Sequence, residues 1–167
     1  MIYTNPSADA AIDQGDLLDQ CPLPLINDIR KDALDTWPVD VDFRRVIVLT
    51  QTCDLANEKT TTATVAEVFD AQVLVDRKIL KPLEIKGPLR AGRIWGWYFL
   101  PAQPDLGLGE MIVDLRRLHT VRLDLLIALA RGGKRQGRVP PLYREHLAKH
   151  FADTFSRIGL PRPYETL

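Results

Sequence analysis

Short apolar runs that end abruptly at polar or helix-breaking residues are what most limit the fold of this chain. Residues 46–49, Val-Ile-Val-Leu, are apolar and mostly β-branched. They follow Arg44 and Arg45, and the next five residues are Thr-Gln-Thr-Cys-Asp. Such a run predicts a buried strand whose polar end leaves the core. Because sites are often built at strand ends, residues 50–54 are the first candidate for a functional site.

Other segments repeat this pattern. Residues 60–69, rich in Thr and Val, predict a second strand that forms a hairpin with residues 43–50. Residues 92–100 and 111–115 predict further strands, and Gly and Pro separate them. We therefore expect an α+β protein with a small, strongly bent antiparallel sheet or SH3-like barrel, and with helices at its C-terminal end. In the aromatic strand, the face carrying Trp95, Trp97 and Phe99 is expected to be the core face by its size.

The C-terminal part predicts helices. Residues 123–130 fit about two helical turns, and proline in the first turn favours a helix from Pro141. The apolar residues of that helix recur every four positions, at Tyr143, Leu147, Phe151 and Phe155. We expect a barrel-like domain over residues 1–130 with an acidic insertion near 28–42. A basic link over 131–139 then leads to a helical part, 140–167, that packs on the same domain.

Composition narrows the class of protein. The 167 residues suffice for one sizeable core, and no apolar run approaches the ~20 residues of a membrane helix. Residues 1–11 lack the basic and apolar parts of a secretory signal, and two cysteines make a disulfide framework improbable. We therefore expect a cytoplasmic protein that does not engage a membrane.

The zero net charge hides an asymmetry between the two halves of the chain. Residues 1–76 hold 14 acidic and 5 basic side chains, a net charge of −9, and residues 77–167 hold 8 and 17, a net charge of +9. Two interpretations compete. Opposite surfaces pack on each other within or between subunits, or the basic half binds an anionic partner.

Residues 50–54 offer several kinds of chemistry. Cys53 would be a nucleophile if a base or a positive environment lowered its pKa, and Arg44, Arg45 or a histidine could supply that environment. The alternative is a buried thiol used only for packing, with Asp54 capping the next turn. The hydroxyls of Thr50 and Thr52 could bind a ligand or phosphate, or they could simply satisfy the turn.

A metal site lacks local ligands. Cys21 and Cys53 are isolated from each other in the sequence, without the Cys-x-x-Cys spacing of zinc sites. His146 and His150 have a ligand-like spacing, but Leu147 stands where a metalloprotease motif needs an acid, and a polar helix flank explains them as well. We expect neither a metal nor a cofactor.

The order of elements resembles the PemK and MazF toxin family. The residues that carry the resemblance are the Gly-Asp-Leu-Leu of residues 15–18, residues 44–49, and residues 111–118. The resemblance covers roughly residues 13–130 and implies an SH3-like barrel that cleaves RNA without a metal, with Arg44 or Arg45 stabilising charge on the phosphate. Residues 140–147 and 157–161 resemble uncharacterised bacterial proteins.

The chain also departs from that family. The usual Arg-Pro before the strand is replaced by Arg44-Arg45, and no threonine clearly matches the second catalytic position. The Cys53-Asp54 pair, the acidic insertion and the helix from Pro141 are additions to the family pattern. Fold similarity therefore does not by itself carry the activity to this chain.

Together these observations predict an RNA- or nucleotide-directed protein. Its candidate site residues are Arg44, Arg45, Thr50, Thr52, Cys53 and Asp54. One alternative is a non-catalytic interaction protein that binds a protein partner or forms a homo-oligomer. Another is a thiol- or metal-dependent enzyme centred on Cys53.

Overall fold

The computed structural model describes residues 2–26, 38–57 and 60–156. The strands in these ranges are β1 (Asp16–Leu25), β2 (Asp40–Val48), β3 (Thr62–Asp70), β4 (Trp97–Leu100), β5 (Met111–Arg122) and β6 (Arg135–Arg138). The helices are α1 (Thr52–Ala56), α2 (Ala71–Asp76), α3 (Pro82–Glu84, continued by a wide turn over Ile85–Leu89), α4 (Leu123–Leu129) and α5 (Pro141–Phe155).

The strands form one antiparallel sheet in the order β4-β5-β3-β2-β1-β6. The predicted α+β class is confirmed, and so is the hairpin, because Val46 pairs with Glu67 and Val48 with Val65. The apolar alternation of β2 sets the two faces of the sheet. Ile47 and Leu49 belong to one core cluster, and Val46 and Val48 belong to another. We call these the inner and the outer face.

The inner face encloses the largest core, which collects side chains from β1 through β5 and includes Leu147 of α5. The strands of the described part of the chain do not close into a barrel by hydrogen bonds. Instead, the N-terminal segment spans the gap between β6 and the end of β4. Thr4 exchanges two backbone hydrogen bonds with Arg138, both 2.9 Å, while the amides of Ile2 and Tyr3 donate to the Gln103 side chain at 2.9 and 2.7 Å. We call this junction the seam.

The outer face is covered in two separate places. At one end α4 packs on the cluster that contains Val46, Val48 and Val65, with Leu126 fully buried. At the other end α2 and α3 pack on the cluster that contains Trp97 and Ile112. The middle of the outer face, between the two clusters, carries charged side chains.

A buried ion pair network fixes β6 to β1. Asp16 is fully buried and accepts hydrogen bonds from Arg138 Nε at 2.6 Å and Nη2 at 2.9 Å, and Arg135 Nη2 lies 3.3 Å from the same carboxylate. Arg135 also donates to the carbonyls of Ser7 and Ala10, at 2.9 and 2.8 Å. The network therefore ties the N-terminal segment to the sheet as well.

Most remaining fold predictions can be compared with the structure. The strand predicted at 111–115 extends to Arg122, both C-terminal helices form, and residues 135–138 of the predicted basic link are β6. The expected core face of the aromatic strand is confirmed for Trp97, which is buried with Phe99 packed against its cluster. It is wrong for Trp95, which lies before β4 and is 45% exposed. Most of the acidic insertion lies outside the described residues. No helix in the described ranges is long and apolar enough to cross a membrane.

Candidate functional site

A large bulge in β5 builds the most distinctive site. Along β3 and β5, Ala66 pairs with Leu118, but the next residue, Glu67, pairs with Asp114. Residues 115–117 are therefore left without partners on β3, and Leu115 N donates to Gly96 O at 2.8 Å instead. Bulges of this kind bend a strand and redirect its side chains, and they are frequent beside active sites.

The bulge places two arginines and a histidine over two buried carboxylates. Asp114 is 3% exposed and accepts two hydrogen bonds from Arg116, at 2.8 and 2.9 Å, while Glu67 is 5% exposed and lies 3.0 Å from His119 Nε2. Arg117 bridges the two carboxylates at 3.6 Å from Glu67 and 3.7 Å from Asp114. We call these five residues the bulge cluster.

The bulge cluster pairs Arg116 fully with Asp114 but leaves one oxygen of Glu67 without a hydrogen bond. The hydrogen bond to Asp114 raises the pKa of Arg116, so this guanidinium stays charged. Oε2 of Glu67 is buried and has no hydrogen bond within the described structure, because Arg117 lies beyond hydrogen-bond distance. Buried polar atoms without a hydrogen-bond partner are rare in native proteins, so this oxygen is open to a donor from solvent or from a ligand.

Aromatic rings support the two arginines of the bulge cluster. The guanidinium carbon of Arg116 lies 4.5 Å from the centre of the Trp97 ring, and that of Arg117 lies 5.5 Å from the Phe69 ring. Gly96, with φ of 75°, makes room for Arg116, since a Cβ there would lie 2.7 Å from its Cγ and Cδ. The arginine heads are thus positioned on the surface of the sheet.

The structure distributes the residues predicted from sequence over three places. Arg44 is on the outer face by strand alternation and forms an ion pair with Asp42. Arg45 is on the inner face, where it donates to Asp70 at 2.6 Å and contacts Met111 Sδ at 3.5 Å. The two neighbouring arginines therefore belong to different surfaces.

The third place is the region of residues 50–54. Thr50 Oγ1 accepts a hydrogen bond from the amide of Thr64 at 2.7 Å, and Thr52 Oγ1 is buried without a partner. Cys53 is exposed, with its sulfur 3.6 Å from Gln51 Oε1 and 3.7 Å from Asp54 Oδ1. A cavity of about 390 Å³ lies here and is lined by Thr50, Asp54, Thr60, Thr62 and Thr64. None of the cationic side chains that the structure describes lines it.

Comparison with solved structures finds several matching chains, among them the structural neighbour described below. No protein-family model matches the chain, and no curated protein matches it significantly. That neighbour is an endoribonuclease in complex with its cognate antitoxin, from a mycobacterial species. It shares 13% identity at a TM-score of 0.46, over 92% of this chain and 100% of that chain. A superposition this loose transfers neither residues nor activity, so the function must be argued from the geometry of the site.

Sequence reasoning missed the bulge cluster, although a signal was present. Glu67 interrupts the apolar run of β3, and Asp114 interrupts that of β5. A carboxylate within a strand that is otherwise apolar is costly unless it is paired, and it therefore indicates a buried polar site. Nothing local in the sequence shows that the two carboxylates meet. Among the described residues no group of three His, Cys, Asp or Glu side chains is placed to hold a metal.

Proposed function

We propose that this protein binds single-stranded RNA across the bulge cluster and cleaves it. The observation that carries the proposal is the pair formed by His119 and buried Glu67, 3.0 Å apart, beside the guanidinium groups of Arg116 and Arg117. A histidine oriented by a carboxylate is a general base, and arginines stabilise the charge that develops on a phosphate. The order of elements along the sequence, which resembles that of the PemK and MazF family, supports the same substrate class.

RNA suits this set of groups because it carries its own nucleophile. With Glu67 ionised, His119 donates its Nε2 hydrogen to that carboxylate, which leaves Nδ1 with a free lone pair. Nδ1 takes the proton of a ribose 2′-hydroxyl as the 2′-oxygen forms a bond to phosphorus. The bond from phosphorus to the 5′-oxygen breaks, and that oxygen takes a proton from water. The products are a 2′,3′-cyclic phosphate and a 5′-hydroxyl, and His119 returns its proton to solvent.

The two arginines have different roles in this proposal. Arg116 is held by Asp114 through two hydrogen bonds and by the Trp97 ring, so it is a fixed contact for a phosphate. Arg117 makes only the longer contacts, and its side chain is 56% exposed, so it can turn toward the phosphate as charge develops. Both groups contribute most in the transition state.

The test is cleavage of a single-stranded RNA of mixed sequence by the purified full chain. Glu67→Gln keeps the shape of the side chain but removes the charge that orients His119, and we expect it and His119→Ala to slow cleavage by about 100-fold or more. Glu145→Gln, on an exposed part of α5, is the matched control and should cleave normally. An all-deoxy strand of the same sequence should bind without being cut, because it lacks the 2′-hydroxyl.

Two results would remove the proposal. One is wild-type protein that does not cleave the RNA, whether or not it binds it. The other is His119→Ala protein that cleaves as fast as wild type while circular dichroism shows both to be folded.

A second candidate function, assembly with a protein, is favoured by one surface. Val39, Val41 and Phe43 are all more than half exposed, and the last two lie on the part of β2 that pairs only with β1. Because side chains alternate along a strand, those of Val39, Val41 and Phe43 lie on one side of the β1–β2 pair. Light scattering at low and high salt tests assembly. Phe43→Ser should lower the mass if this stripe holds two copies together, and an unchanged monomer in all conditions excludes a homo-oligomer.

A further inference from the structure

The cavity beside Arg45 is a second candidate site, separate from the bulge cluster. It has a volume of about 600 Å³ and lies where β3 ends and β5 begins, between the α2–α3 region and the loop of residues 107–110. Arg45 faces it from β2, and Gln136 faces it from β6. A cavity of this size is within the range used by small-molecule ligands, about 300–1,000 Å³, and the bulge cluster contributes none of its lining.

The lining has two chemically distinct parts. An apolar part is formed mainly by Val75, Ile85 and Leu108. The polar part includes the amide side chains Gln72 and Gln136, the ammonium group of Lys86, and the carboxylates Asp70 and Glu110. Ligand sites are typically of this kind, with an apolar wall and a few polar groups that fix orientation.

Several of these polar groups are available to a ligand. Within the described residues, Lys86 has no ion-pair partner and the side chain of Gln136 makes no hydrogen bond. Asp70 accepts from Arg45 with one oxygen, and about half of its side chain is exposed. Around the apolar wall, the described residues therefore offer a ligand the unpaired ammonium group of Lys86, the amide of Gln136 and the second carboxylate oxygen of Asp70.

We propose that this cavity binds a nucleoside monophosphate. The apolar wall would contact the faces of the base, and an amide side chain can donate and accept along the polar edge of a base. Lys86 would contact the phosphate as a point charge, and Asp70 would accept a hydrogen bond from a ribose hydroxyl. Arg45, which is not part of the bulge cluster, lines the cavity and holds Asp70 in place through its hydrogen bond.

Isothermal titration with AMP, GMP, CMP and UMP tests the proposal on the full chain, with adenosine and inorganic phosphate as partial ligands. A Cβ on Gly109, which lines the cavity, would meet no atom within 4 Å, and its φ is not in the left-handed region. Gly109→Leu therefore fills the cavity without backbone strain. The matched control is Gly132→Leu, outside the cavity, where a Cβ also meets nothing.

We expect at least one monophosphate to bind, with about tenfold or greater loss in Gly109→Leu and no change in Gly132→Leu. Lys86→Ala should weaken the monophosphate but not the nucleoside. The proposal is overturned if none of the four binds at millimolar concentration, or if Gly109→Leu binds as wild type does, which would place any binding elsewhere. His119→Ala should bind nucleotide normally. Nucleotide binding without RNA cleavage would therefore remove the proposed function alone.

Discussion

Neutralising Asp16 should destabilise the fold far more than the loss of an exposed ion pair would. In Asp16→Asn the side chain keeps its shape, but the carboxylate that receives two hydrogen bonds from Arg138, at 2.6 and 2.9 Å, loses its charge. Hydrogen bonds to charged groups contribute about 1.5–3 kcal/mol each. The buried Arg135, whose side chain is only 2% exposed, loses its nearest counter-charge as well.

These terms give an expected loss of about 3–5 kcal/mol in the free energy of unfolding, the range measured when one partner of a buried ion pair is removed. Burial lowers the pKa of Arg135, and the charge of Asp16 opposes that change, so loss of the carboxylate leaves a buried guanidinium without its nearest counter-charge. The assay is urea unfolding followed by tryptophan fluorescence and circular dichroism, with the free energy extrapolated to water.

Asp153→Asn is the matched control for this experiment. Asp153 pairs with Lys149 on the surface of α5, where both side chains are more than half exposed, so its loss should cost about 0.5 kcal/mol. If Asp16→Asn costs less than about 1 kcal/mol, the network is not what fixes β6 to β1. A double mutant that also carries Arg138→Met should then show no coupling between the two positions.

Three further predictions concern single residues. Burial lowers the pKa of His150, so at pH values below the ordinary histidine pKa of about 6.5 the unfolded chain binds more protons than the folded chain. The free energy of unfolding should therefore fall as the pH falls. Urea titrations should show a shallower fall in His150→Gln, and equal slopes would contradict the argument. Gly96→Ala should slow RNA cleavage, because the added methyl group displaces the Arg116 side chain. A raised KM would indicate weaker binding and a lowered kcat slower chemistry. Unchanged kinetics would show that the close packing of Arg116 on Gly96 is dispensable. Iodoacetamide should alkylate Cys53 but not Cys21 in the folded protein, because Cys21 is buried and burial raises its pKa to about 11. Mass spectrometry measures both alkylation rates, and equal rates would refute the burial of Cys21.

Local patterns predicted much of the sheet and the helices. The β-branched run of β2 and the Thr-rich run of β3 carry their strand preference in a few neighbouring residues, and α5 begins at the prolines that favour a first turn. The exposure of Trp95 could not be read this way, because residues 92–96 do not continue the strand, and Gly96 adopts a left-handed conformation.

The candidate site was harder to predict than the fold. Glu67 and His119 are 52 positions apart in the chain, and they meet only because of a register shift between β3 and β5. No local pattern encodes a register shift, since the extra residues 115–117 simply lengthen the strand in the sequence. Neighbouring positions in the sequence lie on three different surfaces, those of Arg44, of Arg45 and of residues 50–54. A functional role stays a prediction for the six candidate residues Arg44, Arg45, Thr50, Thr52, Cys53 and Asp54.

The seam has a consequence for how the chain acquires its fold during synthesis. Thr4 pairs with Arg138, 134 positions further along the chain, so a ribosome must complete β6 before the seam can close. Until then the contacts of the buried Tyr3 with Pro101 and Gln103 can form, but the two backbone hydrogen bonds between Thr4 and Arg138 cannot. Contacts this distant in sequence slow folding. Nascent chains should therefore remain sensitive to proteases and bound to chaperones until β6 has left the exit tunnel, even when β2 and β3 have already paired.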